Sequence, residues 1–306
     1  MGTAALLLGA NMPDLDVLAY FDGPAADLAW RRGWSHGVLA LILFPFLLTG
    51  ALVIAHRMYH RNRRADSAPV LPREVLLLSS IAILSHPILD TLNTYGVRWL
   101  MPFSSRWFYG DALFIVDPWM WLLLGLGVAW SWWRRRQGTE SQHQPARLAV
   151  SLAALYVVGM WASGRLSAKI IAREIVMLSH QPLQSVMAGP LPLTLFRREF
   201  VVQEDSVYRV GTFRWLSRPH IDLKTLRTFP REKPRHPAMA TAESTQIMQR
   251  FLSWARFPTF EIQEAGTDHY LVHVVDLRYA RRPGTGFGTI TIPVGGRQQE
   301  QAGIRR

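Results

Sequence analysis

Cysteine does not occur anywhere in the chain. Its absence excludes a disulfide framework and any thiolate metal site, and it suits either side of a bacterial inner membrane. The opening "MGTAALLLGA" does not read as a cleavable signal peptide, because it is short, has no basic start and runs straight into "NMPDLD". No internal repeat, phosphate-binding loop or zinc-finger spacing is found. "PGTGFGTI" (283–290) is glycine-rich, but it lies between β-type runs and reads as a turn. Acidic residues are scarce, 22 against 34 lysines and arginines, for a formal net charge of +12. Such a balance can signal nucleic acid. Here the charge gathers in "HRMYHRNRR" (56–64) and "WWRRRQ" (132–137), as it does in loops flanking membrane helices, so nucleic acid is not the expected partner.

What is abundant is apolar. Hydrophobic residues make up 49% of the 306 positions, with 12 tryptophans, and most of them fall before about residue 165. Four segments there have the length and character of bilayer spans: 37–55, 73–92, 118–133 and 147–164. The first is free of charge over about nineteen residues, enough for roughly 30 Å of hydrocarbon. The second and third open on Pro72 and Pro118, and the third carries tryptophan at both ends. The connections 56–73 and 134–147 are rich in arginine, whereas 93–117 holds only Arg98 and Arg106. The positive-inside rule then makes the two arginine-rich loops cytoplasmic and places everything after residue 165 outside the cytoplasm.

Beyond residue 165 the pattern changes. An amphipathic helical stretch (165–178) precedes β-like runs at 198–205, 206–216, 259–266, 269–280 and 287–294. Residues 229–245 read as a loop and 245–257 as a helix. The expected fold is an α-helical membrane bundle of about four transmembrane helices followed by a small α+β soluble domain. Its parts are a membrane domain (1–164), an extracytoplasmic domain (165–294) and a disordered tail (295–306).

The polar residues of the apolar half are unusual in where they fall. His36 precedes the first span, His86 and Asp90 end the second, Asp117 precedes the third, and Asp14 and Asp16 stand in "PDLD" before the first. On the expected topology all six lie toward one face of the bundle. His86 and Asp90 are four residues apart, so a helix presents both on one side. Imidazole with carboxylate suits zinc, and also manganese or iron, better than calcium. Ionisable groups in membrane helices are costly and point by default to function. Plainer readings stand beside these: Asp117 before Pro118 is what a helix N-cap looks like, Asp14 after Pro13 suits a turn, and the His86–Asp90 pair could be a buried brace. His273 alternates with apolar residues of a strand and reads as a core histidine.

The blocks "LLGANMPDLDVL" (7–18), "WRRGWSHGVLA" (30–40) and "LSHPILDTLNTYGVRWLMPFSSRWFYGDALFIVDP" (84–118) resemble the YdjM/YbcI family. Its members are inner-membrane proteins described as metal-dependent hydrolases, some as LexA-binding. Residues 188–215 are similar to the extra C-terminal domain of the longer members. A more distant likeness to the helical zinc phospholipase C and P1 nuclease group would imply phosphoester hydrolysis, by analogy of fold. Two departures stand out. Members usually carry a further histidine-bearing helix about thirty residues before the "PDxD" turn, so the expectation is that the native chain begins earlier. Arg31 stands where the family's "HRG" has histidine.

Two functional expectations follow. In the first, Asp16, His36, His86 and Asp90 hold a divalent metal, zinc first, and Asp14 or Asp117 accepts a proton or orients a ligand. The substrate is then a lipid-like ester or phosphoester at the outer face of the bacterial inner membrane. In the second, the chain is a non-catalytic, membrane-anchored binding or assembly protein. Its polar cluster is structural, and its C-terminal domain engages a protein partner.

Overall fold

The computed structural model describes residues 1–60, 70–284 and 286–295. Arg61, Arg63 and Arg64 of the first arginine-rich connection, and the tail beyond Gly295, lie outside the described residues. The chain forms two compact units, Met1–Gly110 and Asp111–Arg306.

The first unit is helical. α1 (Gly2–Asn11) leads into a 3-10 helix (Met12–Asp22), α2 (Pro24–Trp30), α3 (Val38–His60) and α4 (Pro72–Thr91). α1 packs on α4, and α3 and α4 form an antiparallel pair around a core of Ala5, Leu41, Leu48, Leu52, Val75 and Ile83. The other faces of α3 and α4 leave Ile42, Leu43, Phe46, Leu47, Ile81 and Ile88 exposed. In water so much apolar surface would be a liability; lipid is its natural solvent. Pro45 and Pro87 sit inside these helices, as membrane helices tolerate. Residues 92–110 fold back over the end of α4: Val97 and Phe108 pair, and Trp99 Nε1 donates to Thr91 Oγ1 at 2.7 Å.

The second unit begins with two antiparallel helices, α5 (Pro118–Arg136) and α6 (Gln144–Ser179). Three helices among the described residues, α3, α4 and α6, are long and apolar enough to cross a membrane. α5 forms where a span is expected, but its last turn holds Arg134, Arg135 and Arg136, and it is not one of the three. α6 runs unbroken for 36 residues through positions 164 and 165.

Four antiparallel strands follow in simple order, β1 (Ser185–Leu191), β2 (Thr194–Gln203), β3 (Val207–Arg214) and β4 (Arg227–Pro230). Register sets Phe200 opposite Ala188 and Gly211, and Val201 opposite Met187 and Val210. Alternation then sends Ala188, Phe200, Val202 and Phe213 onto Ile171 and Ile175 of α6. The opposite face, with Met187, Val201, Tyr208 and Val210, packs on Phe257 and Leu277. α7 (Pro237–Glu243) and α8 (Gln246–Trp254) connect to a second antiparallel sheet, β5 (Pro258–Gly266), β6 (His269–Asp276) and β7 (Thr289–Val294). The first half of the chain is therefore helical and the rest contains the sheets, as expected. β1 and β4 are additions to the pattern read from sequence, and α7 forms within residues 229–245, which read as a loop.

Candidate functional site

The site is built where three polypeptide ends meet. α3 starts at Val38, just after His36; α4 ends at Thr91, just after Asp90; the 3-10 helix carries Asp14 and Asp16 past both. Two glycines allow the "RGWSHG" turn to close there. A Cβ on Gly33 would stand 2.6 Å from the Arg98 guanidinium, and one on Gly37 would stand 2.5 Å from the Met101 carbonyl. Arg98 holds the turn from below, donating to the carbonyls of Ala29 and Arg31 at 2.7 and 2.9 Å.

His36 is fully buried. Its Nδ1 lies 3.3 Å from Asp16 Oδ2 and 3.1 Å from Ser35 Oγ, and its Nε2 lies 3.4 Å from Asp90 Oδ2. Asp16 is held in turn by the Arg32 backbone N–H, which donates to its Oδ2 at 2.6 Å. His86 Nδ1 sits 2.7 Å from the Ala10 carbonyl oxygen. A carbonyl can only accept, so Nδ1 carries the proton and a neutral His86 presents the lone pair of Nε2. That Nε2 is 3.3 Å from Asp14 Oδ1 and 3.5 Å from Asp90 Oδ2. The two imidazole rings lie 5.3 Å apart, edge to face.

Three atoms of this cluster, His36 Nε2, His86 Nε2 and Asp90 Oδ2, are buried and make no hydrogen bond. They face one another across 3.4 and 3.5 Å. Buried polar atoms are rarely left this way, and each one calls for an explanation. Donor atoms placed tetrahedrally about 2.1 Å from one centre would stand about 3.4 Å apart. Asp14, His36 and His86 each offer a ligand atom within 4.8 Å of the others. Asp14, Asp16 and Asp90 gather three carboxylates around the two imidazoles, with the Arg32 guanidinium 3.0 Å from Asp90 Oδ1. The donor set fits a divalent metal.

These neighbours also act on one another's titration. Burial works against a charged His36, yet Asp16 and Asp90 outweigh it and hold its pKa above the ordinary value. The His86 imidazole holds the Asp14 carboxyl below its ordinary value.

Asp14, Asp16, His36, His86 and Asp90 are thus brought together. Asp117 belongs to the second unit, where it is the N-cap of α5: its Oδ1 accepts from the Trp119 and Met120 N–H groups at 3.1 Å, and Tyr156 Oη donates to both its oxygens. Arg31 is paired with Asp27 at 2.8 Å. His273 is a core histidine, between Thr291 Oγ1 and Gln263 Oε1. Arg32, Asn93 and the Ala10 carbonyl were not singled out in the sequence. Arg32 bridges Asp90 and Asn93, with its guanidinium 4.6 Å above the Tyr95 ring. Its place four residues before His36 was the available signal; the backbone carbonyl left none.

Fold and site together define a helical protein with membrane-length helices and a compact histidine–aspartate cluster at the end of a helical pair. The model of the YdjM inner membrane protein family matches residues 2–166, more than half of the 306, and the chain belongs to that family. It is also similar to the uncharacterized protein YfhP of Bacillus subtilis (strain 168), 23% identical over 275 residues that cover 90% of this chain and 76% of that protein. No solved structure matches it.

Proposed function

We propose that the protein is a metal-dependent hydrolase of the inner membrane, acting on an ester or phosphoester of a lipid-like substrate. The observation that carries this reading is the convergence of the three buried, unbonded atoms His36 Nε2, His86 Nε2 and Asp90 Oδ2. These three side chains would hold the ion, zinc by preference for imidazole and carboxylate, with manganese or iron as alternatives. Such an ion supplies Lewis acidity and makes a water acidic enough to ionise near neutral pH.

The remaining work falls to the chain itself. Asp16 orients His36 through Nδ1, and the Ala10 carbonyl does the same for His86, so that each ring presents Nε2. Arg32 steadies Asp90 through its other oxygen. Asp14 is the most exposed member, its side chain 59% accessible, and stands at the open edge of the cluster. It takes the proton from the attacking water. Because the cluster ends two membrane-length helices, a substrate anchored by an apolar chain would present its head group at this height.

The same reading includes four crossings, α5 among them, with residues 165–294 outside the cytoplasm. The arginines of 134–147 support this orientation. The test uses the full chain in detergent, with bis(p-nitrophenyl) phosphate and p-nitrophenyl butyrate as probes. Asp14→Asn should keep its metal and lose at least about 100-fold in rate, the usual scale of a positioned base. Unchanged hydrolysis in this variant, or no hydrolysis by metal-loaded wild type, would refute the assignment.

A further inference from the structure

α6 is 36 residues long, about 54 Å at 1.5 Å per residue, while the hydrocarbon of a bilayer is about 30 Å thick. Its first turns pack on α5: the Ala146 N–H donates to Ser131 Oγ at 2.9 Å, and a Cβ on Gly127 would stand 2.3 Å from Ala149. Its last turns are committed to the first sheet through Ile171 and Ile175. Counting about 20 residues from Arg147, the basic residue that opens the apolar stretch, brings the helix to the opposite interface near Ser167. The segment from Tyr156 to Leu166 therefore lies in a single leaflet, the one on the side of the sheets.

That segment is not bare. Tyr156, Met160 and Ser163 form one wall of an open apolar groove of about 620 Å³, whose other wall is Phe196, Trp215 and Leu216. A second groove, of about 270 Å³, continues it along α5, where Leu195 and Tyr156 face Trp119 and Leu122. The end of the β1–β2 hairpin and the turn after β3 thus reach down beside the part of α6 that is in the leaflet. Their apolar side chains are largely uncovered: Leu193 is 71% exposed, Phe196 54% and Leu216 80%. Leu193 holds φ at +62°, a left-handed conformation that favours glycine or asparagine, yet the turn carries leucine there. Arg197 and Arg218 follow the apolar residues closely in sequence, and Arg165 lies 5.7 Å from the Trp161 ring. Arginine and tryptophan at such a height match the level of phosphate groups.

We infer that the β1–β2 hairpin end, with Trp215 and Leu216, is a wedge inserted into that leaflet, and that an acyl chain of a membrane phospholipid occupies the groove between it and α6. The wedge holds the sheets against the membrane surface independently of the metal cluster. Continuity with a membrane-length helix identifies the occupant as lipid.

The chain lacks cysteine, so single-cysteine variants can be labelled cleanly. Phe196→Cys, Leu216→Cys, Leu155→Cys and Arg250→Cys, each in the full chain and carrying an environment-sensitive fluorophore, are placed in phosphatidylcholine–phosphatidylglycerol nanodiscs. The nanodisc lipids carry a nitroxide on the acyl chain, either near the glycerol or near the methyl end. Leu155 on the exposed face of α6 should be quenched by the deep nitroxide, Phe196 and Leu216 by the shallow one, and Arg250 on α8 by neither. Quenching at Phe196 and Leu216 no greater than at Arg250, with Leu155 quenched, would place the hairpin in water and overturn the wedge. An unquenched Leu155 would remove α6 from the bilayer and overturn it equally.

Discussion

Asp14 and Asp16 stand two residues apart in "PDLD", and the two carboxylates do different work. In a 3-10 helix with three residues per turn, positions i and i+2 point in different directions. Asp16 turns inward onto His36 Nδ1 and the Arg32 N–H, while Asp14 reaches the edge at His86 Nε2. The spacing "HxxxD" made the His86–Asp90 pair legible in the sequence, because helical geometry alone places both on one side. Which member of "PDLD" would approach an imidazole, and through which nitrogen, depended on a local 3-10 geometry that the residue pattern did not encode. If Asp16 orients His36, then Asp16→Asn should weaken zinc affinity by about 10- to 100-fold without removing a ligand. Competition against a chromogenic chelator measures this; unaltered affinity would mean that Asp16 is a bystander.

At the scale of elements, α6 shows where sequence patterning misleads. The polar residues Arg165, Lys169 and Arg173 suggest a new amphipathic helix beginning at 165, yet nothing between 147 and 178 breaks a helix except Gly159 and Gly164. Gly164 is instead a point of close approach: a Cβ there would stand 3.0 Å from the Arg198 guanidinium, which is buried among the carbonyls of Asp111, Met160 and Ala188. β1 escaped notice for a different reason. It is covered on both faces, by α6 and by Phe257 with Leu277, so "SVMAGPL" shows no alternation of apolar with polar. The N-cap at Asp117 was legible, because Asp before Pro is a common helix start. Asp117→Ala should lose about 1 kcal/mol from the two N–H groups it caps, and somewhat more from the Tyr156 hydroxyl left without its acceptor. The full chain should therefore melt earlier in detergent while its metal content stays that of wild type. A loss of metal in this variant would tie Asp117 to the site after all.

In the whole molecule, one unit holds the histidine–aspartate cluster at the end of α3 and α4, and the other carries its sheets on α6. Four crossings would put the sheet-bearing unit outside the cytoplasm; if α5 did not cross, it would lie inside. A reporter active only in the cytoplasm, fused after Val294, should be silent, and strong signal there would reverse the orientation. Whether the cluster holds an ion can be measured directly. Full-length protein is purified in detergent, freed of loosely held metal by gel filtration, and analysed for zinc, manganese and iron per chain, in wild type and in His86→Ala. Wild type should hold close to one ion per chain and His86→Ala almost none, with both forms folded by circular dichroism. Equal metal content in the two, or none in either after incubation with zinc, would show that the unbonded atoms of His36, His86 and Asp90 brace the helices and hold no metal.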